Sequence, residues 1–271
     1  MTDAAPDRSV QGIHRARATA ESFGVDAERY DRARPRYPEE LIARIVEAAP
    51  GTSLLDVGIG TGIEARQLRA AGCRVLGIEP DARMAEFARR DGVDVEVSTF
   101  EAWDAAGRTF DGVVSATAWH WVDPRAGASK AAQVLETGGL FAAFWNVADV
   151  PSEVAGAFAA VYDRVAPDAL AGRAYRHSGS MIDGYAAILD RAAEGLRETR
   201  AFGPPERWRL DWERRCTRDE WLDVLPTQGG NTRLAPPQLA ALLAGTGEAI
   251  DALGGGFTLR YGTLALVAHR R

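Results

Sequence analysis

Asp56, Gly58, Gly60 and Gly62 stand at the end of an apolar run, Ser53 to Val57, and form a Gly-x-Gly-x-Gly loop ahead of a helical pattern from Ile63 to Ala71. Glycines at such a turn remove the side chains that would keep a ligand off the backbone, and the helix behind aims its free amides at whatever the loop holds. The apolar run suits an interior parallel strand. A second run, Arg74 to Ile78, leads into Glu79, 23 residues after Asp56, where a carboxylate can accept both hydroxyls of a ribose. This is chemistry for a nucleoside-bearing cofactor, yet not for a dinucleotide. The dinucleotide spacing needs a third glycine where Ile63 stands, and Asp56 beneath the loop would repel a pyrophosphate while tolerating a cation.

These residues resemble the class I S-adenosylmethionine-dependent methyltransferases, with Asp56, Gly58, Gly60 and Gly62 as the first motif and Glu79 as the ribose acid. The resemblance implies an α/β fold: a Rossmann-like, seven-stranded, mostly parallel sheet with helices on both faces and an antiparallel last strand. It implies S-adenosyl-L-methionine as cofactor, with Pro80, Met84, Phe100, Glu101, Ser115 and Ala116 adding to its site. Phe100 and Glu101 would bracket the adenine, by ring packing and by accepting from its amino group. Met84 reads equally as core filling, and Glu101 also reads as an acid opening a helix. The 22–38 segment is similar to the lid that precedes the first strand in small-molecule methyltransferases, and would bring Tyr30, Arg34 and Tyr37 to the methionine end. An arginine there can pair a carboxylate, and tyrosine faces can attract a sulfonium; a solvated turn at Arg34-Pro35-Arg36 is the other reading. The lid, the His120-Trp121 turn and the Arg260-Tyr261 strand are similar to the methyltransferase type 11 group that includes trans-aconitate methyltransferase.

The remaining elements can be laid out around that centre. Leu41, Ile42, Ile45 and Val46 stripe a helix over 39–48, Val93 to Val97 alternates as an edge strand, and Phe110 to Ala116 makes a fourth strand. The aromatic turn after it, Trp119-His120-Trp121, follows the carboxyl end of a strand, where ligands bind in such sheets. The family pattern Gln-Ala-x-His-Trp-x-Asp is kept except that Thr117 replaces the glutamine. His120 is the histidine whose setting suggests proton chemistry; the alternative is a structural ring between tryptophans. Trp119, Trp121 and Trp145, the last at the end of a fifth strand over 140–146, would wall the acceptor. Alanine-rich helices over 150–205, inserted between strands five and six, would form a substrate cap, where Arg173, Tyr175, Arg176 and His177 either touch an acceptor or lie in a solvated loop. Strands over 207–213 and 256–268, with helices over 218–225 and 237–253 between them, complete the sheet.

With 271 residues and 46% hydrophobic content the chain reads as one methyltransferase domain, with residues 1–40 as lid and 150–205 as cap. A net charge of -6 argues against a nucleic-acid partner. Two cysteines, Cys73 and Cys216, make neither a disulfide framework nor a zinc site, so no metal is expected. The absence of a signal core or spanning run points to a cytoplasmic protein with no membrane partner. The expected function is methyl transfer to a small-molecule acceptor, with O-methylation favoured. A non-catalytic cofactor-binding regulator and an NAD(P)-dependent reductase are the competing readings.

Overall fold

The computed structural model describes residues 22–176 and 179–271. The first part of the expected lid and His177 lie outside these residues. In chain order a 3-10 turn (Phe23–Asp26) leads into α1 (Ala27–Ala33), α2 (Glu39–Ala48), β1 (Ser53–Val57), α3 (Ile63–Ala70), β2 (Arg74–Glu79), α4 (Ala82–Arg90), β3 (Asp94–Val97) and β4 (Phe110–Ala116). A 3-10 turn (Trp119–Trp121) is followed by α5 (Pro124–Val134), β5 (Leu135–Asp149), α6 (Ser152–Val165), α7 (Leu170–Arg176), α8 (Met181–Gly184) and α9 (Ala186–Thr199). The chain then makes β6 (Glu206–Thr217), α10 (Arg218–Val224), α11 (Pro236–Ala252) and β7 (Gly256–His269).

The seven strands form one sheet in the order β3-β2-β1-β4-β5-β7-β6. β1 to β5 are mutually parallel and β7 runs antiparallel to both of its neighbours. The order reverses between β1 and β4, so a crevice opens there at the carboxyl ends of the strands. Side chains alternate across the pleat of β5. Phe141, Ala143 and Trp145 face one layer with Trp119, Leu189 and Leu196. Leu140, Ala142 and Phe144 face the other with Leu41, Ile45, Ile63 and Leu68.

Two features depart from the expected layout. Gly138-Gly139, ahead of the strand expected over 140–146, lies inside β5: Phe110 pairs with Leu135 and Gly112 with Leu140, so the ladder crosses a register shift where Gly138 has φ 79°. The helices of the 150–205 insertion do not stand alone. Phe158 of α6 stacks on Trp221 of α10 at 5.4 Å, with Ile250 of α11 and Phe257 of β7 in the same apolar cluster. Any cap is therefore built from two stretches of chain, before and after β6. Among the described residues no helix is long and apolar enough to cross a membrane.

Candidate functional site

The loop after β1 is shaped by backbone geometry. Gly58 and Gly60 have φ of 74° and 57°, a left-handed conformation that side-chain-bearing residues rarely adopt. The amides of Gly58 and Ile59 both donate to the Ile78 carbonyl, at 2.8 and 3.2 Å, which folds the loop back onto β2. Glu79 closes this clamp, its Oε2 accepting from the Gly60 amide and its Oε1 from the Asp81 amide, each at 2.9 Å. A β-carbon on Gly58 would sit 2.4 Å from that of Ala118, so no side chain fits at Gly58, whereas Gly60 faces open space.

Two adjoining cavities, of about 120 and 60 Å³, lie over this loop and share Tyr30, Gly58, Gly60, Ala116 and Thr117. The larger is lined by Glu79, Pro80, Met84, Phe100, Glu101 and Trp121, the smaller by Arg34, Tyr37, Glu64 and Asn146. The structure thus gathers most of the expected cofactor residues around one trough. Met84 is 4% exposed, so it packs in the core and lines the cavity at once. Glu101 also accepts the Asp123 amide at 3.0 Å, which ties it to the turn that starts α5. Three expected residues serve from outside the wall. Ser115 is buried and its hydroxyl donates to the Val57 carbonyl at 2.8 Å, stitching β4 to β1. Gly62, with φ 84°, starts α3, and Asp56 is wholly buried under the loop.

The 22–38 segment covers the trough. Phe23 and Tyr30 line the larger cavity, and Phe23 packs on Trp121 with ring centroids 6.5 Å apart. Gly24 sits against Asp81, and its amide donates to that carboxylate. Burial alone would raise the Asp81 pKa, but hydrogen bonds from Arg83 and Gly24 outweigh it and hold the group below the usual range. Arg32 makes a two-pronged bond to Asp223 at 2.8 and 2.9 Å. Arg34 lies over the Tyr30 ring at 4.9 Å and gives its Nε to the Thr227 hydroxyl at 3.1 Å and an Nη to the Thr227 carbonyl. It is an engaged arginine at the cavity wall and not a solvated turn. The Tyr37 and Thr117 hydroxyls hydrogen-bond at 2.8 Å.

The aromatic turn after β4 divides its residues between cavity and core. Trp121 lines the larger cavity. Trp119 is 2% exposed and packs edge-on against Phe141 at 4.7 Å, and Trp145 is fully buried. Neither Trp119 nor Trp145 lines the trough, because both side chains are packed inside the apolar layer with Phe141 and Leu189. They support the wall from behind. His120 is held by Trp145, whose indole Nε1–H donates to Nδ1 at 3.0 Å. Burial pushes the imidazole pKa down to about 4.

Several residues at the trough were not singled out by the pattern of the chain. Glu64 resembles any acid in a first helical turn, yet it is 4% exposed and its carboxyl lies within hydrogen-bonding reach of Asp56. Burial pushes Asp56 up to about 7 and Glu64 well above the carboxylate range. Thr117, noted only as a departure from the family pattern, has φ 54° and lines both cavities. For Thr117 a signal existed, since it directly follows an interior strand. For Phe23 and Gly24 no local signal did.

The unpartnered oxygens of Asp56 and Oε1 of Glu64, the glycine loop and the acid at the end of β2 fit a cofactor with a nucleoside at one end and a cation at the other. Comparison with known proteins gives the same class. Residues 55–143 match the family described as methyltransferase domain. An uncharacterized methyltransferase of Mycobacterium tuberculosis is 35% identical over 130 residues, 47% of this chain and 53% of the relative. A ubiquinone biosynthesis O-methyltransferase of Methylocella silvestris is 37% identical over 71 residues, 24% of this chain and 28% of that protein. The chain therefore matches about half the length of the mycobacterial relative. A solved structure from Anaeromyxobacter dehalogenans, provisionally assigned as a type II methyltransferase, shares the fold with a TM-score of 0.55 at 24% identity, over 88% of this chain and 97% of that one.

Proposed function

Residues 55–143 match the methyltransferase-domain family, and from that premise we propose that the chain is an S-adenosylmethionine-dependent methyltransferase that methylates a small-molecule acceptor, with oxygen the favoured acceptor atom. The observation that carries the reading is the trough itself, in which the loop of Gly58 and Gly60, Glu79, and the covering residues Tyr30 and Phe23 surround two adjoining cavities. The O-methyltransferase named among the relatives supports the choice of oxygen. The net charge of -6 supports a metabolite over a nucleic acid.

The cofactor supplies a methyl group made electrophilic by the sulfonium that carries it. Glu79 would hold the ribose; a carboxylate accepts at about four positions, so holding the loop amides does not preclude this. Met84, Phe100 and Glu101 would take the adenine, while Tyr30, Arg34 and Tyr37 would shape the methionine end. Phe23 and Trp121 exclude water beside the reacting centre, which strengthens every electrostatic contact inside. The acceptor would enter between Trp121 and the helices around 150–205, and alignment in a dry site supplies most of the rate. His120 is a poor base here, since its Nδ1 is occupied by Trp145 and its ring stays neutral. An acceptor that arrives already ionised needs none.

The test is transfer of a labelled methyl group from S-adenosylmethionine into a metabolite extract, paired with calorimetry using S-adenosylhomocysteine and NAD. Label in a small organic product with selective S-adenosylhomocysteine binding is the expected result. Binding without any transfer would favour a regulator, and preferential binding of NAD a reductase.

A further inference from the structure

β6 ends the sheet order, and among the described residues no strand pairs with its outer edge. The strand runs from Glu206 to Thr217 and pairs with β7 along all 12 residues without a register shift, so no bulge or interior proline blunts that edge. Its charges could do so instead, but they are arranged symmetrically. Counting outward from Leu210, Arg209 is matched by Asp211, Trp208 by Trp212, Arg207 by Glu213 and Glu206 by Arg214. These residues stand opposite each other when a second copy of the strand is laid antiparallel alongside, with Leu210 on the twofold axis. Every charge then meets its opposite. Moving the centre by one residue sets Arg209 against the partner's Arg209, or Asp211 against the partner's Asp211. Moving it by two sets Arg207 against the partner's Arg209, or Asp211 against the partner's Glu213. We infer that β6 is the contact of a twofold dimer, in which two copies of this chain pair edge to edge about Leu210 and join their seven-stranded sheets into one.

The side chains fit that arrangement on both faces of the sheet. On one face Arg207, Arg209, Asp211 and Glu213 are exposed. Arg209 gives its Nε to Asp211 at 2.8 Å and lies 3.6 Å from Asp183 of α8, and Arg207 bonds Asp190 of α9. In the dimer Arg209 and Asp211 face the same two residues in reverse order, so charges of alternating sign close a ring. On the other face Trp208, Leu210 and Trp212 are half-buried. The Arg44 guanidinium lies over Trp208, 4.1 Å from the ring centre, while Trp212 stacks on Tyr261 at 4.1 Å and donates its Nε1–H to Thr263. Both indoles are thus fixed where they meet across the joint. Pro204 and Pro205, which lack the amide a ladder needs, bound the pairing at one end. Surface ion pairs are individually weak. They select the register and the partner, while the backbone ladder and the apolar face carry most of the affinity. β5 and β7 separate β6 from the crevice between β1 and β4, so the joint is independent of the cofactor reading.

Sedimentation velocity of the full chain at low salt, up to about 1 mM protein, should show a monomer–dimer equilibrium. The Arg209 and Asp211 side chains are 51% and 62% exposed, so replacing either should leave the fold intact. Arg209→Asp or Asp211→Arg puts like charges opposite each other twice per dimer, and each should weaken self-association by about tenfold or more. An equimolar mixture of the two variants restores opposite charges at both places and should dimerise again, as should the double variant; a misfolded chain would do neither. Register is read separately. Facing Cα atoms of an antiparallel pair stand about 4.5 to 5.5 Å apart, within disulfide range. Leu210→Cys should therefore cross-link to a dimer under mild oxidation, whereas Arg207→Cys, which faces the partner's Glu213, should not. The native Cys73 and Cys216 are buried and stay out of this reaction. A monomer at every concentration overturns the proposal. So does a dimer that both charge variants leave unchanged, a mixture of the two that stays monomeric, or a dimer cross-linked by Arg207→Cys and not by Leu210→Cys.

Discussion

The indole Nε1–H of Trp145 donates to Nδ1 of His120 at 3.0 Å. An indole can only donate, so Nδ1 keeps its lone pair in that bond and the neutral ring carries its hydrogen on Nε2. No lone pair is left to take a proton unless the Trp145 bond breaks. Burial pushes the ring pKa down to about 4, so His120 is an uncharged donor through the physiological range, anchoring the Trp119–Trp121 turn to β5.

It follows that turnover should show no histidine titration between about pH 5.5 and 8, and that the deficit of His120→Ala should not recover at high pH. Loss of a true general base costs about 10² to 10⁴ in rate; recovery in alkaline buffer would restore that role. Trp145→Phe removes the donor that favours the neutral ring, so the His120 pKa should rise, measured by NMR titration of the imidazole carbons. In stability the sign is that of a depressed histidine. The contribution is complete above the unfolded value near 6.5 and is lost as pH falls towards 4.

Glu79 holds the glycine loop, and in the proposed function it would hold the cofactor's ribose as well. Glu79→Ala should weaken S-adenosylhomocysteine binding by about 2 to 4 kcal/mol, through loss of charge-assisted bonds to the ribose. It should also free the Gly60 and Asp81 amides that the carboxylate now holds, seen as faster hydrogen exchange of the loop without ligand. Unchanged affinity in a folded variant would remove Glu79 from the site.

The covering segment is fastened at Gly24. An added β-carbon there would lie 2.1 Å from an oxygen of the buried Asp81 carboxylate. Gly24→Ala should loosen residues 22–38, raising their hydrogen exchange and weakening cofactor binding, while the exchange of β4 and β5 stays slow. Adding S-adenosylhomocysteine to the wild type should slow exchange over 22–38. Equal exchange with and without ligand would count against a lid.

Thr117 pairs with Tyr37 across the boundary of the two cavities. Thr117→Val leaves the Tyr37 hydroxyl without its partner and should cost about 1 to 3 kcal/mol in stability, read from denaturant unfolding. Thr117→Gly also loses the bond but relieves a β-branched residue at φ 54°. It should therefore be the less destabilised of the two.

The interior strands and the glycine loop that follows the first of them were legible in the chain because they rest on short-range pattern. The apolar run into Gly58, Gly60 and Gly62 and the acid at Glu79 set strand, loop and ligand chemistry within about thirty residues. What lay beyond local pattern was decided by packing across the sheet. Trp119, Trp121 and Trp145 are equivalent as letters, yet only Trp121 lines the trough, because packing buries Trp119 of the turn and Trp145 of β5 in one apolar layer and leaves Trp121 beside the cavity. Glu64 looks like an ordinary helix-opening acid until the fold sets it against Asp56, where burial gives it a different chemistry. Gly24 finds Asp81, and Arg34 finds Thr227, across 57 and 193 residues of chain. Contacts at such separations leave no periodic trace in sequence, since each is a property of two surfaces brought together by the rest of the fold.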